Sequence, residues 1–194
     1  MLPGARVGVA MTRAAAGLLL LAAACATPTP ASAVVHDIDG VVQAPLDPPP
    51  GHLHVVVFVT TDCPIANAYA PTIQALRAQF ASQPVHFFLV HVDAQIDAAR
   101  ARQHADEYGL VGPILLDPAH DLVRALGVTI TPEVVVLGPA RAVRYQGRID
   151  NWFGDLGKKR PQPTRHDLRD AIHALLAGAV VAEARTAAIG CSIE

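Results

Sequence analysis

The chain has 194 residues, 52% of them hydrophobic and 5% aromatic, with a formal net charge of −2. That length and apolar content suit one domain with a full core, and the mildly acidic, aromatic-poor balance excludes a nucleic-acid surface as the basis of function. After the N-terminal segment, no apolar run is long enough to span a bilayer.

Residues 1–33 have the three parts of a secretory signal peptide: Arg6 and Arg13, an apolar stretch through Leu18 and Leu21, and the small-residue site Ala31-Ser32-Ala33. Cleavage after Ala33 leaves 161 of the 194 residues and takes the formal charge from −2 to −4. The protein is therefore expected to be exported, periplasmic or extracellular. Cys25, placed after the apolar stretch, keeps lipid attachment open, and a retained N-terminal anchor is the third alternative. Any membrane attachment runs through the N-terminus. Without Cys25, two cysteines remain, Cys63 and Cys191, an even number that an oxidising compartment allows to pair.

Next, Asp39-Gly40 suggests a short hairpin. Behind the proline-rich stretch 48–51, the β-branched run 54–61 reads as a buried strand. It leads into Asp62-Cys63-Pro64, the most informative tripeptide of the chain. Proline at the first position of a helix loses no hydrogen bond. A thiol at that junction faces the positive end of the helix dipole, which favours the nucleophilic thiolate, and such a site keeps the sulfur near solvent. The periodicity predicts a helix over 65–80, kinked or split at Pro71, and a second strand over 85–92. Asp93 is placed to cap an alanine-rich helix that ends near Gly109. A third strand (114–116) and a short helix (119–126) stopped by Gly127 follow.

In the second half, 133–137 and 142–145 form a hairpin around Gly138-Pro139, so the sheet is mixed. Residues 151–163, with Lys158-Lys159-Arg160, read as a loop with a solvated basic cluster. Thr164 with Asp167 resembles a capping box for a last helix up to Gly178. The domain thus runs over 34–178, and 179–194 is a tail, ordered or mobile, that carries Cys191. The order of elements implies an α/β fold with a central mixed sheet flanked by helices. Nine histidines raise the question of metal, but no third ligand stands at a recognisable spacing to His52 and His54, so no metal or cofactor is expected and the histidines read as surface or edge residues.

The segments Thr60-Thr61-Asp62-Cys63-Pro64, Leu116-Asp117-Pro118, Gly127-Val128-Thr129-Ile130-Thr131-Pro132-Glu133 and Tyr145-Gln146-Gly147-Arg148-Ile149-Asp150 resemble the thioredoxin-like redoxin superfamily, which includes thioredoxins, exported thioredoxin-like oxidoreductases and peroxiredoxins. The resemblance implies a thioredoxin-like fold, Cys63 as attacking cysteine and Pro132 as the cis-proline beside it, with Pro64 and the backbone at Thr131 against the substrate. The departures are specific. Ala66 stands where a thioredoxin has its second cysteine, Asn67 where copper-delivery members have theirs, and Val56 where the peroxiredoxin motif has proline, although Thr60 keeps that motif's threonine. Arg148 is the candidate for the arginine that polarises a peroxide.

Cys191, after Gly190, is the candidate resolving cysteine, since a glycine lets the backbone turn freely and a tail reaches back to the site. A reversible Cys63–Cys191 pair, a permanent staple worth about 4 kcal/mol for so long a loop, and unpaired or intermolecular cysteines all remain open. Three functions follow: an exported thiol–disulfide oxidoreductase, a peroxiredoxin-like thiol peroxidase with antioxidant activity, and a non-catalytic binding module with a structural disulfide. The partners implied are a protein disulfide or a peroxide as substrate and an external thiol as reductant.

Overall fold

A computed structural model describes residues 35–194, together with the isolated residues Met1 and Gly4. The expected leader and Cys25 lie outside the described residues. In chain order the elements are β1 (Val35–His36), β2 (Val42–Gln43), β3 (Leu53–Val59), α1 (Pro64–Gln79), β4 (Val85–His91), α2 (Ala98–Tyr108), β5 (Ile114–Leu116), α3 (Asp121–Leu126), β6 (Ile130–Thr131), β7 (Glu133–Gly138), β8 (Ala142–Gly147), β9 (Phe153–Asp155), β10 (Lys158–Lys159), α4 (Asp167–Leu176) and β11 (Cys191–Ser192). Five strands form the central sheet in the order β5-β4-β3-β7-β8, with β3, β4 and β5 parallel and β7 antiparallel to both neighbours. This is the mixed α/β sheet the sequence implies.

The continuous apolar runs at the centre follow from burial on both faces. Val55, Val57, Val134 and Val136 point to one core with Ile73 of α1, Ala101 of α2 and Ile172 of α4. Val56, Phe58, Val135 and Leu137 point to the other, under Leu122 and Leu126 of α3. Each fully buried valine or phenylalanine contributes roughly 1.5–3 kcal/mol. The β1–β2 hairpin, whose turn is tied by the Asp37 carboxylate accepting from the Asp39 and Val41 N–H groups, docks on β5 through Ile38 N–H to Ile114 O at 2.9 Å.

Several local expectations are corrected. Pro71 does not split α1, which runs unbroken over Pro64–Gln79 with Pro71 on its exposed face, so that the ring meets solvent and not the core. The cap of α2 is Asp97, whose side chain accepts from Arg100 N–H at 2.7 Å; Asp93 is engaged elsewhere. The capping box does not form, since Asn151 accepts from the Thr164 and Arg165 N–H groups and donates to the Thr164 hydroxyl. Within 151–163 the chain makes the β9–β10 hairpin, with Lys159 5.2 Å over the Trp152 ring.

The segment 179–194 is ordered against the domain. It runs along β8 through Gln146 N–H to Ala184 O and Thr186 N–H to Gln146 O, and the Thr186 hydroxyl sits 2.7 Å from the Tyr145 hydroxyl. Gly147, at φ +148, makes room for this: a Cβ there would stand 2.2 Å from the Thr186 carbonyl oxygen. The tail then crosses to pair β11 with β6.

Candidate active site

Cys63 is the N-cap of α1, with extended backbone, and its Sγ accepts from Ala66 N–H at 3.5 Å. Pro64 opens the helix, where its missing N–H costs nothing. As a thiol, Cys63 donates to the Thr131 carbonyl at 3.2 Å. The Thr131–Pro132 peptide bond is cis, and the Thr60 and Thr131 hydroxyls meet at 3.2 Å. The expectation that Cys63 stays near solvent is corrected: only 1% of its surface is exposed. The tail covers it.

That cover is a strand. Cys191 pairs with Thr131 and Ser192 with Ile130 in antiparallel register, the Thr131 hydroxyl donates to Cys191 O, and Ile193 N–H donates to Thr129 O at 3.0 Å. Gly190 is required here by close approach, not by a left-handed turn, since a Cβ would lie 1.9 Å from the Thr131 carbonyl oxygen. Both cysteines are free thiols, and that of Cys191 is within hydrogen-bonding reach of Cys63. Burial, together with that hydrogen bond and the charge Cys63 can carry, pushes the Cys191 thiol up to about 12. Cys191 therefore keeps its proton at neutral pH while Cys63 is a free thiol or thiolate.

Side chains absent from the sequence expectations hold the loop before Cys63. Asp93 accepts from both the N–H and the hydroxyl of Thr61 at 3.0–3.2 Å. Burial raises its carboxyl, but these bonds and the His91 ring 3.6 Å away outweigh burial and hold it below the usual range. Asn67 donates to Thr61 O at 2.9 Å, and its Oδ1 accepts from His104 Nε2 at 2.8 Å. Burial, with a smaller contribution from His91, pushes His104 down to about 4, so it is neutral and its Nε2 carries the proton. His91 is fully buried and His104 nearly so, which corrects their reading as surface residues. The signal for them was a polar residue at the end of an apolar strand and another on a buried helix face.

Thr60, Cys63, Pro64, Thr131, Pro132 and Cys191 thus come together at one end of the sheet. Arg148 does not join them. Its guanidinium binds Asp167 in a two-point ion pair at 2.8 and 3.2 Å, at the start of α4. A pocket of about 330 Å³ opens beside the two cysteines, with Thr60, Val92 and Ile193 in its wall, and the charged side chains that line it are all acidic: Asp62, Asp93 and Glu194. Among the described residues, no three histidine, cysteine, aspartate or glutamate side chains are grouped to hold a metal; His52 and His86 stack and share a hydrogen bond of 3.0 Å, while His54 bonds Pro45 O.

Comparison with known proteins places this architecture. The Redoxin family model matches residues 20–152. The chain belongs to the Redoxin family. Similar solved structures share its thioredoxin-like fold. An uncharacterized conserved protein from Geobacillus kaustophilus is 22% identical, with a TM-score of 0.72, over 83% of this chain and 87% of that one. A hypothetical protein from Sinorhizobium meliloti is 25% identical at the same TM-score, over 85% and 91%. A secreted Mycobacterium tuberculosis disulfide oxidoreductase homologous to E. coli DsbE is 19% identical with a TM-score of 0.51, over 76% and 96%. No curated protein matches the chain. The family match ends before the tail, so Cys191 is a feature of this redoxin beyond the matched region.

Proposed function

We propose that this redoxin is an exported thiol–disulfide oxidoreductase in which Cys63 attacks and Cys191 resolves. The observation that carries the reading is the pairing of Cys191 with Thr131, which sets its thiol against Cys63. Cys63, as thiolate at the head of α1, attacks one sulfur of a disulfide RSSR; a new S–S bond forms to Cys63 and one RS⁻ departs and takes up a proton. Cys191 then attacks the Cys63 sulfur, closing the protein disulfide and releasing the second thiol. The substrate gains two electrons and two protons, and an external thiol returns the protein to its dithiol form.

The order of the two steps has a physical basis. Burial is the largest influence that raises the Cys191 thiol, and the two that follow it, a hydrogen bond and a charge, come from Cys63 itself. Once Cys63 is capped by substrate it no longer carries charge, and Cys191 ionises more readily when its attack is needed. A peroxidase gains no comparable support, because Arg148 is committed to Asp167. Export rests on the leader pattern of residues 1–33.

The test is to mix the reduced protein with 2-hydroxyethyl disulfide and follow the products by mass spectrometry. The expected product is an internal Cys63–Cys191 disulfide, with Cys191→Ser stalling at a mixed disulfide on Cys63 and Cys63→Ser unreactive. An untouched Cys63, or faster closure with hydrogen peroxide than with the disulfide, overturns the reading. Export is checked by N-terminal sequencing of protein recovered outside the cytoplasm, expected to begin at Val34.

A further inference from the structure

β6 belongs to no sheet except the two-stranded one it makes with β11. Take the tail away and the edge at 129–131 presents unpaired main-chain groups beside a reactive sulfur, the arrangement that captures an extended peptide by strand addition. In this chain the position is already filled. Cys191 stands opposite Thr131, where the cysteine of an incoming strand would have to stand to reach Cys63. Gly190 is pressed so closely on the Thr131 carbonyl that no other residue type fits without displacement. Ile193 adds the bond to Thr129 and packs on the core of the α3 side. What stays accessible is the pocket of about 330 Å³ bounded by Asp62, Asp93 and Glu194. It has room for a small molecule but no free strand edge.

We propose that the tail strand is a resident occupant of the peptide-binding edge, so that the closed protein exchanges with small, uncharged or cationic disulfides through the acidic pocket and reacts with a polypeptide disulfide only after the tail lifts off. This rests on the oxidoreductase reading and narrows its substrate. A polypeptide must compete with a tethered strand, and its apparent rate is scaled by the fraction of time the edge is open. For a ladder of a few main-chain bonds that fraction is about a tenth to a hundredth. The acidic lining acts in the same direction on charge: an anionic disulfide is repelled and a cationic one is concentrated, and salt weakens both effects.

The experiment measures capture of Cys63 in the full chain carrying Cys191→Ser, which retains the tail but cannot resolve. The probes are cystamine, 2-hydroxyethyl disulfide, glutathione disulfide and a polypeptide with an accessible disulfide. The expected result is polypeptide capture about tenfold to a hundredfold slower than that of 2-hydroxyethyl disulfide, and a preference for cystamine over glutathione disulfide that shrinks as salt is raised. Adding Gly190→Val, or in a second variant Ile193→Pro, which removes the bond to Thr129 together with the Ile193 side chain packed on the core, raises the ratio of polypeptide to small-disulfide rate at least several-fold. Hydrogen exchange across 190–193 reports tail release in the same samples. Equal capture of polypeptide and small disulfide with the tail docked overturns the proposal alone, as does an unchanged ratio once exchange shows the tail released. Failure of every disulfide to reach Cys63 overturns the oxidoreductase reading beneath it.

Discussion

The two segments that meet at Thr131 are built in opposite ways. On one side, the loop 60–63 is fixed by side chains: Asp93 on Thr61, Asn67 on the Thr61 carbonyl, His104 on Asn67, all at least half buried and carried by the loop after β4, by α1 and by α2. On the other, the strand 191–192 is held by main-chain pairing to a two-residue strand and by the shape of one glycine. A network of buried side chains breaks as a unit, whereas a short edge ladder peels. The attacking sulfur is therefore on the rigid side and its partner on the releasable side, which suits a dithiol that must open to be reduced again.

The largest effect is expected where the releasable side is broken. Gly190→Val, with Cys191 retained, displaces the ladder, and Cys191 becomes a group on a flexible tether at millimolar effective concentration. Closure of the Cys63–Cys191 disulfide after substrate attack should slow by about a hundredfold, measured by rapid quench and alkylation. Closure at the native rate would mean that docking of the tail does not set the geometry of resolution.

Breaking the rigid side should lower stability instead. Asn67→Ala leaves His104 Nε2 and the Thr61 carbonyl without their partner, at a cost of about 1–3 kcal/mol, read as a lowered midpoint in urea. Asn67→Asp keeps the acceptor for His104 but replaces the N–H donor to Thr61 O by a carboxylate oxygen, so it should not restore stability. If Asn67→Ala is neutral, the loop is held by Asp93 alone.

His104 sharpens the same comparison through pH. The folded protein keeps this ring neutral down to about 4, whereas the unfolded chain takes up a proton near 6.5. Its contribution is thus complete above pH 6.5 and is lost as pH falls towards 4, by on the order of 3 kcal/mol. Replacement by glutamine, which cannot titrate, should flatten stability across that window in equilibrium unfolding. A slope unchanged by His104→Gln would assign the acid sensitivity to other groups.

The contrast between the two sides also explains what could be read from the sequence. The sheet, four helices and the Cys63–Pro64 junction were legible because apolar periodicity, Gly109 and Gly127 as helix stops, and proline at a helix start are local signals. The supporting network was not. Asn67 lies on α1, Asp93 in the loop after β4 and His104 on α2, and nothing in their spacing says that they converge on Thr61. Asp93, read as a helix cap, has the right chemistry for one but finds its N–H donor across the sheet end. The tail was legible only as a cysteine with a glycine before it, because two-residue strands have no periodicity and their pairing is decided by Thr131 on another segment.

The smallest effect concerns the thiol on the releasable side. Burial comes first among the influences that raise Cys191 from 9.0 to about 12, followed by the hydrogen bond with Cys63 and its charge. Cys63→Ala removes the last two and leaves the first, because the tail still docks through Thr131 and Thr129. The Cys191 thiol should then titrate below about 12 and above 9.0, so that at fixed mildly alkaline pH it alkylates faster in the variant than in the native protein. Cys63→Ser, whose hydroxyl oxygen can still accept from the Cys191 thiol but does not ionise, should fall between the two and separate the hydrogen bond from the charge. If alkylation of Cys191 is equally slow in all three, burial alone protects it, and the order of the two attacks is set by access to Cys63 and not by the state of its partner.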